Sequence, residues 1–145
     1  MICLKNHSQI DKMRESGRIL HEVQENLKDF VKPGVTTGEV DALAEKLIRQ
    51  LGGIPSELGY MGYPASICAS VDDEVVHGIP SKHVMLKEGS IISIDVTLAL
   101  DGWQADSAFT APVGSIGPEK ERLIRVTEEC FWKGAAMALS GNRIG

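Results

Sequence analysis

The order and spacing of apolar residues in this 145-residue chain predict an α+β fold with helices packed on one face of a largely antiparallel sheet. Two amphipathic helix patterns open the chain, a stretch rich in valine, isoleucine and glycine covers residues 54–113, and a third helix pattern follows. Within that stretch, an Asp101-Gly102 pair separates two runs of alternating apolar residues, which is typical of a β-hairpin. The length fits one domain.

The limits of the first two helices are marked by capping and stop residues. The first is predicted over residues 10–30, with Ser8 as its N-cap and Lys32-Pro33-Gly34 as its end. The second is predicted to begin at the capping-box pattern Thr36-Thr-Gly-Glu39 and to end at Gly52-Gly53. Both helices are expected to cover the same sheet.

The third helix is predicted to start at Pro118, which suits a first helical turn, and to continue to Ser140-Gly141. Its end resembles the end of the first helix, since Gly34 is followed by Val35-Thr-Thr-Gly38 and Gly141 by Asn142-Arg-Ile-Gly145. This similarity predicts that a second copy of the helix-helix-sheet unit begins with the third helix. We therefore expect a single truncated domain over residues 1–145, with a first pseudo-repeat at 1–114 and the start of a second at 115–145.

Two aspartates flank the predicted hairpin turn. If Asp101 and Gly102 are the loop residues, Asp95 faces Ala108 and Asp106 faces Thr97, so both carboxylates project from one face as diagonal neighbours. Diagonal partners about 7 Å apart suit two carboxylates reaching cations about 3.5–4 Å apart. The alternative is that one or both lie on a solvated strand face or in a structural network. Spacing alone leaves both interpretations open.

Composition excludes several classes of function. The formal charge is −5 with acidic and basic residues interleaved, so there is no basic stripe for nucleic acid and no polybasic patch for a membrane. No segment has the pattern of a signal peptide or a transmembrane helix, and a cytoplasmic protein is expected. Cys3, Cys68 and Cys130 are widely spaced, which predicts free thiols rather than disulfides or a zinc knot.

Five segments identify a family resemblance: Gly59-Tyr-Met-Gly-Tyr63, Ser66-Ile-Cys68, Val75-Val-His-Gly-Ile-Pro80, Leu86-Lys-Glu-Gly-Ser-Ile-Ile-Ser-Ile-Asp-Val96 and Gly102-Trp-Gln-Ala-Asp-Ser107. In these the chain resembles the type I methionine aminopeptidases of bacteria. The resemblance covers essentially the whole chain, whereas the family's own domain continues for about as long again. It implies the N-terminal half of a pita-bread (creatinase/aminopeptidase) fold.

The resemblance also implies a reaction and its requirements. The family removes the initiator methionine from nascent proteins with a small second residue, using two divalent metal ions that could be cobalt, manganese, iron or zinc. Sequence does not choose among these metals. The implied partner is the N-terminal methionine of nascent polypeptides, with ribosome association as a further expectation.

Site residues follow from the same motifs. Asp95 and Asp106 resemble metal ligands, and His77 resembles the catalytic histidine that reaches the substrate near the scissile bond. The resemblance further assigns three residues to the pocket for the methionine side chain: Tyr60, Tyr63 and Cys68. On the residues alone, His77 would be read as a surface loop residue and the pocket residues as ordinary core or turn positions. His7, His21 and His83 match no ligand motif and are assigned to solvent.

Some positions depart from the family. Glu57 stands where many relatives have an uncharged pocket residue, Met61 replaces a common polar residue, and Asp72 replaces a frequent asparagine. The histidine and two glutamates by which the family completes its metal site have no counterpart here. The chain alone is therefore expected to hold at most one metal ion weakly and to be nearly inactive. The alternative is an inactive fragment, or a non-catalytic pita-bread module that binds a peptide or protein.

Overall fold

The structure is a computed structural model that describes residues 3–143. Two helices, four strands and a third helix follow one another, which is the order predicted for the α+β class. In chain order they are α1 His7–Phe30, α2 Thr37–Gln50, β1 Ile54–Pro55, β2 Cys68–Val71, β3 Ile91–Leu100, β4 Trp103–Pro112 and α3 Pro118–Ala135.

The sheet is antiparallel and is built around β3. Strand β4 pairs with β3 along its whole length. The short strands β2 and β1 share the opposite edge, with β2 beside residues 92–95 and β1 beside residues 98–99. Every pairing is antiparallel, which confirms the predicted sheet.

Strand β3 alternates strictly between two environments. Ile92, Ile94, Val96 and Leu98 are fully buried against the helices, whereas Ser93, Asp95 and Thr97 point to the other face. Helix α1 packs on β3 and β4, and α2 packs on β1 and β2. The helical side of the core contains mainly aliphatic residues: Ile19, Leu20, Val23 and Leu27 from α1, and Val40, Ala44 and Ile48 from α2. Burying each large aliphatic side chain contributes about 1.5–3 kcal/mol, so the helices lie on one face and leave the other open.

The N-terminal caps differ in how well the sequence predicted them. Helix α2 begins with the predicted capping box, in which Glu39 N–H donates to Thr36 Oγ1 at 3.2 Å and Thr36 N–H donates to Glu39 Oε2 at 2.8 Å. The prediction of Ser8 as the cap of α1 was wrong. Asn6 caps α1, because its side chain and that of Gln9 each accept the other's backbone N–H at 2.9 Å. This reciprocal pair starts the helix earlier in the chain.

Helix α3 begins at Pro118 as predicted but ends at Ala135, so the predicted continuation to Ser140-Gly141 was wrong. Beyond Ala135 the N–H of Met137 donates to Gly134 O at 3.0 Å, which is a three-residue turn rather than an α-helical bond. None of the residues of α3 is buried. The similarity between the ends of the first and third helices extends to residues 144 and 145, which lie outside the described residues. The pseudo-repeat therefore remains a prediction.

None of the helices described between residues 3 and 143 combines the length and the apolar composition that a membrane span needs.

Candidate active site

The β3–β4 hairpin brings Asp95 and Asp106 to the open face of the sheet. The predicted register is confirmed, with Asp95 opposite Ala108, Thr97 opposite Asp106, and a turn at Asp101-Gly102. Both turn residues have a positive φ, 50° and 80°, as a type I′ turn requires. The two aspartates are therefore diagonal neighbours on the face that the helices leave uncovered.

One oxygen of the Asp95 carboxyl group, Oδ1, is buried and has no hydrogen-bond partner. Burial, followed by the negative charge of Asp106, raises the pKa of Asp95 above its ordinary value. A buried carboxylate oxygen without a partner is costly, and a second carboxylate beside it increases the cost. A bound cation would remove both penalties.

The donor set tests whether a metal ion fits here. Carboxylate oxygens are suitable ligands for divalent cations, and the orphaned Oδ1 of Asp95 is an available donor. Within the part of the chain that the structure describes, however, no three histidine, cysteine, aspartate or glutamate side chains are arranged to hold an ion. Asp95 and Asp106 thus fit part of a metal site and do not complete one.

His77 approaches this pair from the loop between β2 and β3. It is exposed and has φ of 58°, a conformation uncommon for a residue with a Cβ. The adjacent backbone is anchored on β2, since Gly78 N–H donates to Ser70 Oγ at 3.0 Å and Ala69 N–H donates to Gly78 O at 2.8 Å. Burial and Asp106 raise the pKa of Asp95, and the charge interaction with His77 acts in the opposite direction.

Cys68 lies directly opposite Asp95 across β2 and β3. Its side chain is buried, and burial is the main reason that the pKa of the thiol rises to about 11. Tyr63 lies beside Cys68, and its single hydroxyl proton is within hydrogen-bond distance of two carbonyl oxygens, Ile67 O at 3.2 Å and Gly78 O at 3.3 Å. Burial and then Cys68 raise the pKa of this phenol. The structure thus brings Tyr63 and Cys68 together beside the carboxylate pair.

Tyr60 adjoins this cluster through its backbone, because Tyr63 N–H donates to Tyr60 O at 2.9 Å, but its ring makes no hydrogen bond within the cluster. It belongs to a single 3₁₀ turn, Tyr60–Gly62, and the residue is 69% exposed. His7, His21 and His83 are also exposed, as predicted. Cys3, Cys68 and Cys130 are free thiols, which confirms the prediction made from their spacing.

Glu57 is a member of the cluster that was not among the predicted site residues. The thiol of Cys68 donates to Glu57 Oε2 at 3.3 Å. Burial is the main cause that raises the pKa of Glu57 to about 7, and the charges of Asp95 and Asp106 raise it further. The sequence contained one signal, since Glu57 stands where many relatives have an uncharged pocket residue. Its contact with Cys68 could not be predicted, because it depends on the tertiary fold that brings these two segments together.

Residues 11–145 match the model of Metallopeptidase family M24. The chain therefore belongs to this family, whose members use divalent metal ions. The α+β pita-bread class predicted from sequence is confirmed by the solved structures to which the chain is similar.

Relatives and solved structures to which the chain is similar include methionine aminopeptidases. It is 49% identical to the methionine aminopeptidase of Clostridium acetobutylicum over 99% of its own length and 58% of that protein. It is 47% identical to methionine aminopeptidase 1 of Bacillus subtilis over the same shares. The crystal structure of methionine aminopeptidase from Rickettsia prowazekii superposes with a TM-score of 0.90 at 40% identity, covering 92% of this chain and 54% of that one. The chain thus spans little more than half the length of these proteins.

Proposed function

We propose that this chain provides the first half of a methionine aminopeptidase active site, which removes the N-terminal methionine from nascent polypeptides with the aid of two divalent metal ions. The observation that carries the proposal is the buried, unpartnered Oδ1 of Asp95 beside Asp106. A structural carboxylate would be expected to have a hydrogen-bond partner. The names of the similar proteins support the choice of reaction.

Each residue of the cluster has a separate role in this proposal. Asp95 and Asp106 hold the metal ions, which when bound polarise the carbonyl of the first peptide bond and make water more acidic. His77, held by the anchored loop, donates to the substrate near the scissile bond. Tyr60, Tyr63 and Cys68 line the pocket for the methionine side chain, in which aromatic rings and a thiol pack well against a thioether.

We further propose that the 145-residue chain alone has little or no activity. Two carboxylates leave most of the coordination positions of one ion to water, and no third ligand is arranged around them in residues 3–143. The domain is then a truncated one, with a first pseudo-repeat at 1–114 and a second that starts at 115. Cobalt, manganese, iron and zinc all suit the full site. Removal of methionine from nascent chains fits a cytoplasmic protein that acts near the ribosome.

Metal binding can be tested on the chain as it stands. We expect Mn²⁺ or Co²⁺ to raise the thermal unfolding midpoint of the wild type and to have no such effect on Asp95→Asn. Asp101→Asn is the matched control, because it also removes one aspartate charge but lies in the exposed turn. Equal metal stabilisation of wild type and Asp95→Asn would contradict the assignment.

The reaction can be tested by supplying the missing half. A chimera would join this chain to the part of the Clostridium acetobutylicum relative that extends beyond the match. We expect the chimera to release methionine from a Met-Ala-Ser peptide, the 145-residue chain to release almost none, and the Asp106→Asn chimera to lose at least about 100-fold in rate. A folded chimera that binds metal but releases no methionine would favour the non-catalytic binding module.

A further inference from the structure

Asp41 on α2 holds the segment that leads into β2. Its Oδ1 atom accepts hydrogen bonds from the backbone N–H groups of Ser66 at 2.8 Å and of Ile67 at 3.2 Å. Asp41 follows the buried Val40 on the helix and is itself half-buried. One carboxylate oxygen therefore ties helix α2 to the start of β2 through two backbone donors.

The two N–H groups depend on this carboxylate. Ser66 and Ile67 are fully buried, and within residues 3–143 the N–H of each donates to Asp41 and to no other group. A buried N–H group that loses its acceptor costs the full desolvation penalty of that group. Without Asp41 the segment would have to move toward water to satisfy both donors.

The same segment supports two residues of the proposed methionine pocket. The C=O of Ile67 lies 3.2 Å from the hydroxyl of Tyr63. Cys68 is the next residue along the chain and lies opposite Asp95 on β3. Ile67 is thus held by Asp41 through its N–H and contacted by Tyr63 through its C=O. A shift of this segment would move Tyr63 and Cys68 together, relative to Asp95.

No ion pair explains why a carboxyl group is half-buried at this position. Asp41 takes part in none of the ion pairs found within residues 3–143. Glu45, one turn further along α2, pairs instead with Arg49 at 2.8 Å. Burial of Asp41 raises its pKa, and the hydrogen bonds from Ser66 and Ile67 oppose that shift. These two backbone contacts are therefore the stabilising interactions of Asp41.

We propose that Asp41 is a positioning residue that fixes the methionine pocket through the backbone of Ser66 and Ile67. In this assignment Asp41 touches neither the substrate nor a metal ion, and it acts through Tyr63 and Cys68. The inference rests on the proposed function, because the pocket belongs to that reaction.

The thiol of Cys68 reports on this segment in the 145-residue chain. Cys68 is buried, whereas Cys3 and Cys130 are exposed free thiols that serve as internal references. Labelling by iodoacetamide is followed at each cysteine by mass spectrometry. We expect Asp41→Ala to accelerate labelling of Cys68 at least about tenfold, since loss of a hydrogen bond to a charged group has about that effect on an equilibrium. Asp41→Asn keeps an oxygen acceptor and should stay within about threefold of the wild type.

Two control variants separate local opening from a general loss of stability. Ser66→Ala removes a buried hydroxyl that has no partner and keeps the backbone N–H, so labelling of Cys68 should not accelerate. Val23→Ala weakens the core on α1, which packs on β3 and β4. It should lower the free energy of unfolding in urea without opening the segment before Cys68 in native buffer.

Hydrogen exchange of the wild type tests the same point without any variant, and it applies even if Asp41→Ala does not fold. The amides of Ser66 and Ile67 should exchange at least about 100-fold more slowly than fully exposed amides, because both are buried and bonded to Asp41.

The effect on the pocket is measured in the chimera that carries the missing half. Asp41→Ala should raise the KM for Met-Ala-Ser at least about fivefold while kcat changes less than about threefold, because the lost interaction concerns binding of the methionine side chain. Asp41→Asn should restore the KM. The KM does not depend on the fraction of enzyme that is folded, so a merely structural role would lower the apparent kcat and leave the KM unchanged.

Four results would overturn the inference. They are labelling of Cys68 in Asp41→Ala within about twofold of the wild type, equal acceleration in Val23→Ala, rapid exchange of the Ser66 and Ile67 amides, and an unchanged KM. A chimera that releases no methionine would contradict the proposed function alone, because labelling and exchange judge Asp41 without catalysis.

Discussion

The position of His77 depends on a close contact between two backbone segments. A Cβ on Gly78 would lie 2.5 Å from Ala69 O and 2.8 Å from Ser70 Cα, and neither backbone atom can move without disturbing β2. Glycine therefore allows the loop to lie directly on the strand. The same contact holds His77 in its left-handed conformation near Asp95.

Gly78→Ala should accordingly destabilise the chain by about 1–3 kcal/mol, because the overlap is with backbone rather than with a flexible side chain. The measurement is the free energy of unfolding in urea. Gly134→Ala is a suitable control, since a Cβ there meets nothing within 4 Å and alanine favours a helix by about 0.5–1 kcal/mol. A Gly78→Ala variant as stable as the wild type would show that the loop is not tightly held.

The raised pKa of Glu57 predicts how stability depends on pH. Its proton is bound up to about pH 7 in the folded chain, whereas the ordinary pKa is 4.5. Below pH 4.5 both states are protonated and no penalty arises. As the pH rises toward 7 the unfolded chain ionises first, so the free energy of unfolding falls. Asp95 and Asp41 shift in the same direction.

Urea unfolding with a chelator present should thus give a higher free energy of unfolding at about pH 5 than at pH 8. Each pKa unit corresponds to about 1.4 kcal/mol, and Glu57 should contribute on the order of 1–3 kcal/mol of the difference. Glu57→Gln should remove this contribution. An unchanged pH dependence in the variant would mean that the carboxylate is better solvated than its contacts indicate.

Strand β3 and helix α3 differ in how firmly they are held. Strand β3 is paired on both edges and buried on one face. Helix α3 has no buried residue, and Lys120 connects it to the sheet by donating to Asp72 Oδ1 and to Gly89 O, both at 2.7 Å. Burial opposes ionisation of Asp72, but the hydrogen bonds from Lys120, Ser90 and Ile91 outweigh it and lower the pKa of Asp72.

Lys120→Ala should therefore loosen the start of α3 without unfolding the sheet. We expect faster hydrogen exchange in the first turns of α3, and a loss of no more than about 1 kcal/mol in global stability because the pair is partly exposed. Lys133→Ala, which removes an exposed lysine from the last turn of the same helix, should leave exchange unchanged. Equal exchange in both variants would mean that other contacts hold α3.

The whole chain presents a large apolar surface on and after α3. Phe131 and Trp132 pack edge to face at 5.1 Å and are still 64% and 63% exposed. Exposed apolar residues continue on both sides of this pair: Leu123, Val126, Met137 and Leu139. Surfaces of this kind commonly mediate association.

We expect the 145-residue chain to self-associate with increasing concentration, as measured by size-exclusion chromatography with light scattering. The double variant Phe131→Ser/Trp132→Ser should shift the protein toward the monomer. Met61→Ser is the matched control, because Met61 is 91% exposed but lies outside α3, and it should not change the association. A wild type that stays monomeric at high concentration would count against the half-domain interpretation.

The sequence by itself determined the α+β class, the capping box of α2 and the register of the β3–β4 hairpin. These features depend on local physics: Thr36 and Glu39 are close in sequence, and the Asp101-Gly102 turn sets which residues of the two strands face each other. Because side chains alternate along a strand, that register also placed Asp95 and Asp106 on one face. Local signals predicted the helix ends less well. Asn6 caps α1 instead of Ser8, and α3 ends at Ala135 instead of continuing to Ser140-Gly141.

Only the tertiary structure decided what surrounds those aspartates. The contact of Glu57 with Cys68, the anchoring of Gly78 on β2 and the lack of a partner for Asp95 Oδ1 all join segments that are distant in sequence. No local pattern encodes them, because they depend on how β1, β2 and their loops are placed around β3. The physical reason is that the cost of a buried carboxylate is set by its neighbours in space, and the fold chooses those neighbours.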